Sequence, residues 1–135
     1  MNKDLLCEVL NLTINDVLTD KDSMYEEISP YFDVEHEDSG SYIIARLNIG
    51  YKSINIYELA HKCKEWAWKN EFLIRSKSTF GSGFEFGYCE IEHIHDGWTK
   101  EFFTKKLLNK YENPITEPEA ILKACQWILK NKENK

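Results

Sequence analysis

At 135 residues and 16.0 kDa the chain is long enough to enclose one hydrophobic core and too short for two comfortable ones. Its 42% hydrophobic and 13% aromatic content excludes a disordered chain, and a net charge of -6 with an isoelectric point near 5.2 argues against generic capture of a nucleic-acid backbone. Arginine, the residue suited to bidentate phosphate or guanine contacts, occurs only at Arg46 and Arg75. The cysteines Cys7, Cys63, Cys89 and Cys125 are far apart and form no Cys-x-x-Cys pair, so they read as reduced, small, buried residues. No basic-then-apolar leader opens the chain and no apolar run has membrane-spanning length. The expectation is a cytoplasmic, soluble protein of a single domain spanning residues 1–135, with no membrane or direct nucleic-acid partner.

From the amino terminus, Lys3 to Leu12 reads as a short helix with Leu5, Leu6, Val9 and Leu10 on its apolar side. Residues 13–30 mix Val17, Leu18 and Ile28 with acids, the pattern of an extended or strand–turn segment, and Tyr31 to Val34 adds a strand. Asp33, Glu35, Glu37 and Asp38 surround His36, but without the Asp-x-Asp-x-Asp-Gly order of a calcium loop; a solvated turn is expected. Tyr42 to Ile49 is rich in β-branched and aromatic residues and reads as a strand, with Gly50 to Ser53 as a linker after it. Residues 1–53 thus form an extension on a helix–sheet–helix core over 54–131.

That core begins at Asn55, an N-cap with Glu58 three residues on. Ile56, Leu59, Ala60, Cys63, Trp66 and Ala67 recur at helical spacing and line one buried face. Tyr57, His61, Lys64 and Trp68 form a second stripe well away from the first. Two large aromatics there require either a second buried layer, furnished by the amino-terminal segment, or a contact surface for a partner.

Phe72 to Arg75 reads as a strand broken at Ser76 to Ser78, and Gly81-Ser82-Gly83 as a turn. No Gly-Lys-Ser/Thr follows those glycines, so this is not a phosphate loop. Phe84 to Asp96 continues as a strand in which Gly87 marks a bulge or a close backbone approach. Alternation sends Phe86, Tyr88, Glu90, Glu92 and Ile94 to one side and Cys89, Ile91, His93 and His95 to the other. Two histidines two apart on one strand face can reach one metal ion, with Asp96 or Cys89 as a third ligand, although no second cluster completes the site. Glu90 and Glu92 on an exposed face lack the separate environments that acid–base catalysis needs. Trp98 to Thr104 reads as a further strand, and a helical period over Thr99 to Tyr111 competes for its second half.

The last helix is announced by Thr116 as cap, Pro118 in the first turn and Glu119 completing a capping box. Ala120, Ile121, Ala124, Cys125, Ile128 and Leu129 form its buried stripe, flanked by Trp127. These features define an α+β fold, a small antiparallel sheet packed with helices. The helix over 56–67, paired with the run Thr116-Glu-Pro-Glu-Ala-Ile and its continuation to Leu129, resembles the phage ABA-sandwich family. The likeness covers about the last 80 residues, a domain-scale stretch. It implies helices on a small antiparallel sheet and a phage or prophage origin, without any catalytic motif to carry over.

No complete catalytic motif is present, so no enzymatic activity and no cofactor is expected. The leading expectation is a small acidic protein-binding module, of the kind that inhibits a host or defence protein. Tyr57, His61, Lys64, Trp68 and Trp98 are its interface candidates, and a basic, nucleic-acid-binding protein suits its charge. The alternative is a metal-dependent or small-ligand enzyme centred on Cys89, His93, His95 and Asp96. Self-association through the same aromatics stays open.

Overall fold

The computed structural model describes residues 3–10, 31–35, 40–47, 50–108 and 114–133. In chain order these form α1 (Lys3–Leu10), β1 (Tyr31–Glu35), β2 (Gly40–Leu47), β3 (Gly50–Asn55), α2 (Ile56–Lys69), β4 (Phe72–Gly81), β5 (Phe84–His93), β6 (Thr99–Leu107) and α3 (Thr116–Glu133). The fold is α+β. The described strands make two three-stranded antiparallel sheets, ordered β1-β2-β3 and β4-β5-β6. The segment 13–30 and the acidic run around His36 lie outside the described residues.

Strand pairing corrects the sequence reading in three places. Gly50 to Ser53 is not a linker: it belongs to β3, which pairs Tyr51 with Arg46 and Ser53 with Ile44. Pairing with a neighbouring edge satisfies backbone groups that a free linker would leave to water. Ser76 to Ser78 do not break β4, because Ser76 opposes Cys89 and Ser78 opposes Gly87 on the central strand. A ladder on β5 outweighs the weak strand propensity of serine. In the other direction, β5 stops at His93 rather than Asp96. The Gly97 N–H closes a turn onto the His93 carbonyl at 2.8 Å, and Gly97 has the positive φ of 75° that the turn requires. The contest over residues 99–111 resolves as strand through Leu107, which opposes Phe84.

Ser82 and Gly83 both have positive φ, 54° and 81°, the geometry of a tight type I′ hairpin between β4 and β5. The resulting β4-β5-β6 sheet turns Cys89 and Ile91 of β5 and Phe102 of β6 inward. They meet the apolar stripes of α2 (Leu59, Cys63, Trp66) and α3 (Ile121, Cys125, Ile128), with Leu5 of α1 in the same core. Each fully buried large aliphatic side chain contributes ~1.5–3 kcal/mol, so this shared stripe is what holds helices and sheet together. Trp66 donates its indole N–H to Glu8 at 2.8 Å, which ties α1 to α2.

The start of α3 explains Gly87. A Cβ there would run into the Thr116 carbonyl and the Thr104 hydroxyl, so glycine marks a close backbone approach of helix to sheet. The expected capping box does not form. Ile115, not Thr116, supplies the carbonyl that accepts the Glu119 N–H, at 3.0 Å. Thr116 is fully buried as the first helical residue, and its carbonyl accepts the Thr104 hydroxyl. Its own Oγ1 has no hydrogen-bond partner among the described residues.

Candidate functional site

The side of the β4-β5-β6 sheet turned away from the helices carries an unusual load. Residues opposite one another in an antiparallel register point the same way. Phe84, Phe86 and Tyr88, alternating with buried Glu85, Gly87 and Cys89, therefore share a face with Lys77 of β4 and with Phe103, Lys105 and Leu107 of β6. Tyr88 and Phe103 pack at 5.4 Å between ring centroids, and Phe84 and Phe86 at 6.2 Å. The Lys105 ammonium lies 4.1 Å from the centre of the Phe84 ring, and Lys77 lies 5.2 Å from that of Tyr88. Phe103 remains 59% exposed and Leu107 68%. Both α2 and α3 pack on the opposite side, and among the described residues no element covers this one.

Charge is divided along this face. The hairpin end holds Lys77 and Lys105; the other end holds Glu90, Glu92 and Glu101. Arg75 bridges Glu90 at 3.1 Å and Glu92 at 3.0 Å, so the two glutamates form an ion-pair network rather than an acid–base couple. The Tyr88 hydroxyl donates toward Glu101 and Glu90, at 3.2 and 3.3 Å. Partial desolvation and these two carboxylates push its pKa up to about 12. The sequence carries a signal for this face: Phe84, Phe86 and Tyr88 on one side and Cys89 and Ile91 on the other make both sides of one strand apolar.

The interface candidates read from the sequence do not converge. Tyr57, His61 and Lys64 line one hollow of about 140 Å³ with Glu117, Pro118 and Ile121 of α3. Tyr57 donates its hydroxyl to the Pro114 carbonyl, and burial, with Glu85 and Glu117 behind it, raises its pKa. His61 pairs with Glu65 at 2.9 Å. Trp68 lies farther along α2, outside that hollow, and is 59% exposed, while Tyr57 is 40% exposed. Among the described residues, no second layer buries this stripe.

Trp98 stands at the far end of the sheet. Its ring is parallel to the His93 imidazole, 5.5 Å between centroids and 1° between planes, and meets Phe72 and Trp127 edge-on at 5.6 and 5.8 Å.

The metal candidates are arranged against a shared ion. His93 Nδ1 accepts the Asp96 N–H at 3.2 Å, with the Asp96 carboxylate also 3.2 Å away. His95, in the turn beyond β5, directs Nε2 to Glu71 at 3.0 Å. Their rings meet edge-on at 5.9 Å, each bound to a different carboxylate. Among the described residues no three His, Cys, Asp or Glu side chains are placed to hold a metal ion. Cys89 is fully buried on the helix side, where burial pushes its thiol up to about 12. That is the opposite of an activated nucleophile. All four cysteines are buried and outside any disulfide, and the Cys125 thiol approaches the Cys63 carbonyl at 3.6 Å.

A cavity of about 300 Å³ opens where α2 and α3 end. Phe72, His93 and Trp127 form its aromatic walls, and Lys69, Glu71 and Lys132 lie around it. Glu71 holds a φ of 72°, uncommon for a residue with a side chain.

No family model, curated protein or solved structure matches the chain. No described helix is long and apolar enough to cross a membrane.

Proposed function

We propose that the chain is a small protein-binding module whose contact surface is the uncovered face of the β4-β5-β6 sheet. The observation that carries this reading is the cluster Phe84, Phe86, Tyr88, Phe103 and Leu107, backed on no helix or strand among the described residues. Antiparallel sheets commonly leave one face to water, but that face is then polar. A contiguous aromatic strip rimmed by charges is instead the composition of a protein-contact patch, in which a few buried aromatics supply most of the affinity.

The partner we propose is a basic, nucleic-acid-binding protein. The chain's charge of -6 favours its approach, and Glu101, beside the Arg75-bridged Glu90 and Glu92, offers a carboxylate next to the aromatic strip. The resemblance of residues 56–67 and 116–129 to the phage ABA-sandwich family supports a host or defence protein in that role. Four cysteines outside any disulfide fit a reducing, cytoplasmic setting. No part of this reading requires catalysis.

A photo-crosslinking amino acid placed at position 103, and separately at position 68, tests it in cells. Crosslinking from 103 to a basic protein, abolished by Phe86→Ser and retained in Tyr57→Ser, is expected. Crosslinking to such a partner from 68 alone would move the contact surface to α2 and defeat the proposal.

A further inference from the structure

We infer that the cavity between the carboxy-terminal ends of α2 and α3 is a binding site for a small aromatic carboxylate. The site is separate from the sheet face, so the inference stands independently of the proposed function. Its volume of about 300 Å³ lies at the lower end of the ~300–1,000 Å³ typical of small-molecule pockets.

The walls select a flat ring. Phe72 and Trp127 line the cavity, and Trp98 packs edge-on against both, which fixes the orientation of the two rings. The same tryptophan stacks on His93 and fixes the plane of its imidazole. Nδ1 is occupied by Asp96, whose N–H and carboxylate both lie 3.2 Å away, so Nε2 is the ring's remaining polar atom. Nε2 has no hydrogen-bond partner among the described residues, which leaves it for a bound ligand.

The polar groups select an anion. Carbonyls at helix ends ordinarily repel negative charge. Here several of them are already engaged: Asn70 Nδ2 donates to the Trp66 carbonyl and Asn131 Nδ2 to the Trp127 carbonyl, both at 2.8 Å. The Asn70 N–H takes the Ala67 carbonyl at 3.0 Å. Glu71, the cavity's one carboxylate among the described residues, is paired with His95. Lys69 has no acidic partner among the described residues, and Lys132 makes a long 3.4 Å contact with Glu8 and lies 5.7 Å from the centre of the Trp66 ring. Two ammonium groups and an imidazole therefore line an aromatic slot, the complement of a ring bearing a carboxylate. The left-handed Glu71 at the rim, at φ 72°, is the kind of local strain that collects at binding sites.

The test is an NMR titration with 2-naphthoate, and in parallel with its cationic counterpart 2-naphthylmethylammonium. We expect saturable shifts of the His93 ring protons and the Trp127 indole N–H with naphthoate. Affinity should be at least about tenfold weaker for the cation, and about tenfold weaker for naphthoate in Lys69→Glu, the scale of one charge-assisted contact. Lys69 is exposed, so that variant keeps the fold, which an unchanged melting temperature would verify. Equal binding of the two probes, naphthoate shifts confined to Phe84 and Phe103, or undiminished affinity in Lys69→Glu would each overturn the assignment.

Discussion

Gly87 is the residue on which helix and sheet most visibly depend. The atoms a methyl group would meet include the Thr116 backbone, which cannot rotate away as a side chain could. Gly87→Ala must push α3 off β5, and a loss of about 2–4 kcal/mol is expected, at or above the usual range for overpacking. Urea unfolding measures it; a change under about 0.5 kcal/mol would contradict the close approach.

Glu71 works in the other direction. A left-handed residue with a side chain costs ~1–2 kcal/mol, whereas its exposed pair with His95 returns at most about 0.5 kcal/mol. Glu71→Gly should therefore raise stability by about 0.5–1 kcal/mol, after the extra freedom glycine gives the unfolded chain.

Cys89 makes a pH prediction. Its thiol ionises near 9 when free and near 12 when folded, so the folded state holds the proton more tightly. Stability is fully present below pH 9 and declines as pH rises from about 9 toward 12. The melting temperature should fall over that interval, and less steeply in Cys89→Ala; identical slopes would remove Cys89 as the cause.

Among the elements, β6 carries the sharpest contrast, because Phe102 and Phe103 are neighbours on opposite faces. Phe102 is buried against Trp127 and the core, and Phe102→Ala should cost ~3–5 kcal/mol. Phe103→Ser, on the uncovered face, should change stability by less than about 0.5 kcal/mol. Denaturant midpoints of the two variants decide whether this face is free.

The helices were the legible elements. Ile56, Leu59, Ala60, Cys63, Trp66 and Ala67, and Ala120, Ile121, Ala124, Cys125, Ile128 and Leu129, are buried as helical periodicity requires. The strands were read less well, since strand pairing is non-local. Nothing near Tyr51 reveals that β2 offers it an edge, and nothing at Ser76 reveals the ladder on Cys89. Thr116 bears the signature of a capping residue, yet the approach of Gly87 draws it into the first turn and moves the cap to Ile115. The candidate surface escaped for a similar reason. Tyr57 and Trp68 stand out on a single helix, whereas Phe84, Phe86, Tyr88 and Phe103 become one patch only when β5 and β6 are set in register.

At the scale of the molecule, an acidic α+β protein presents a helix layer to one side of a sheet and an aromatic strip to the other. In the proposed reading, net charge steers a basic partner from a distance and the strip supplies the short-range contact. Raising salt should slow association far more than dissociation, because only the steering is screened over a Debye length of ~8–10 Å. The most direct test is carboxylate footprinting of the chain with and without its crosslinked partner. Binding through the sheet face should protect Glu90, Glu92 and Glu101 while leaving Glu58 and Glu65 on α2 as reactive as before. Protection of Glu58 and Glu65, with Glu101 still fully labelled, would contradict it and place the contact on the helix instead.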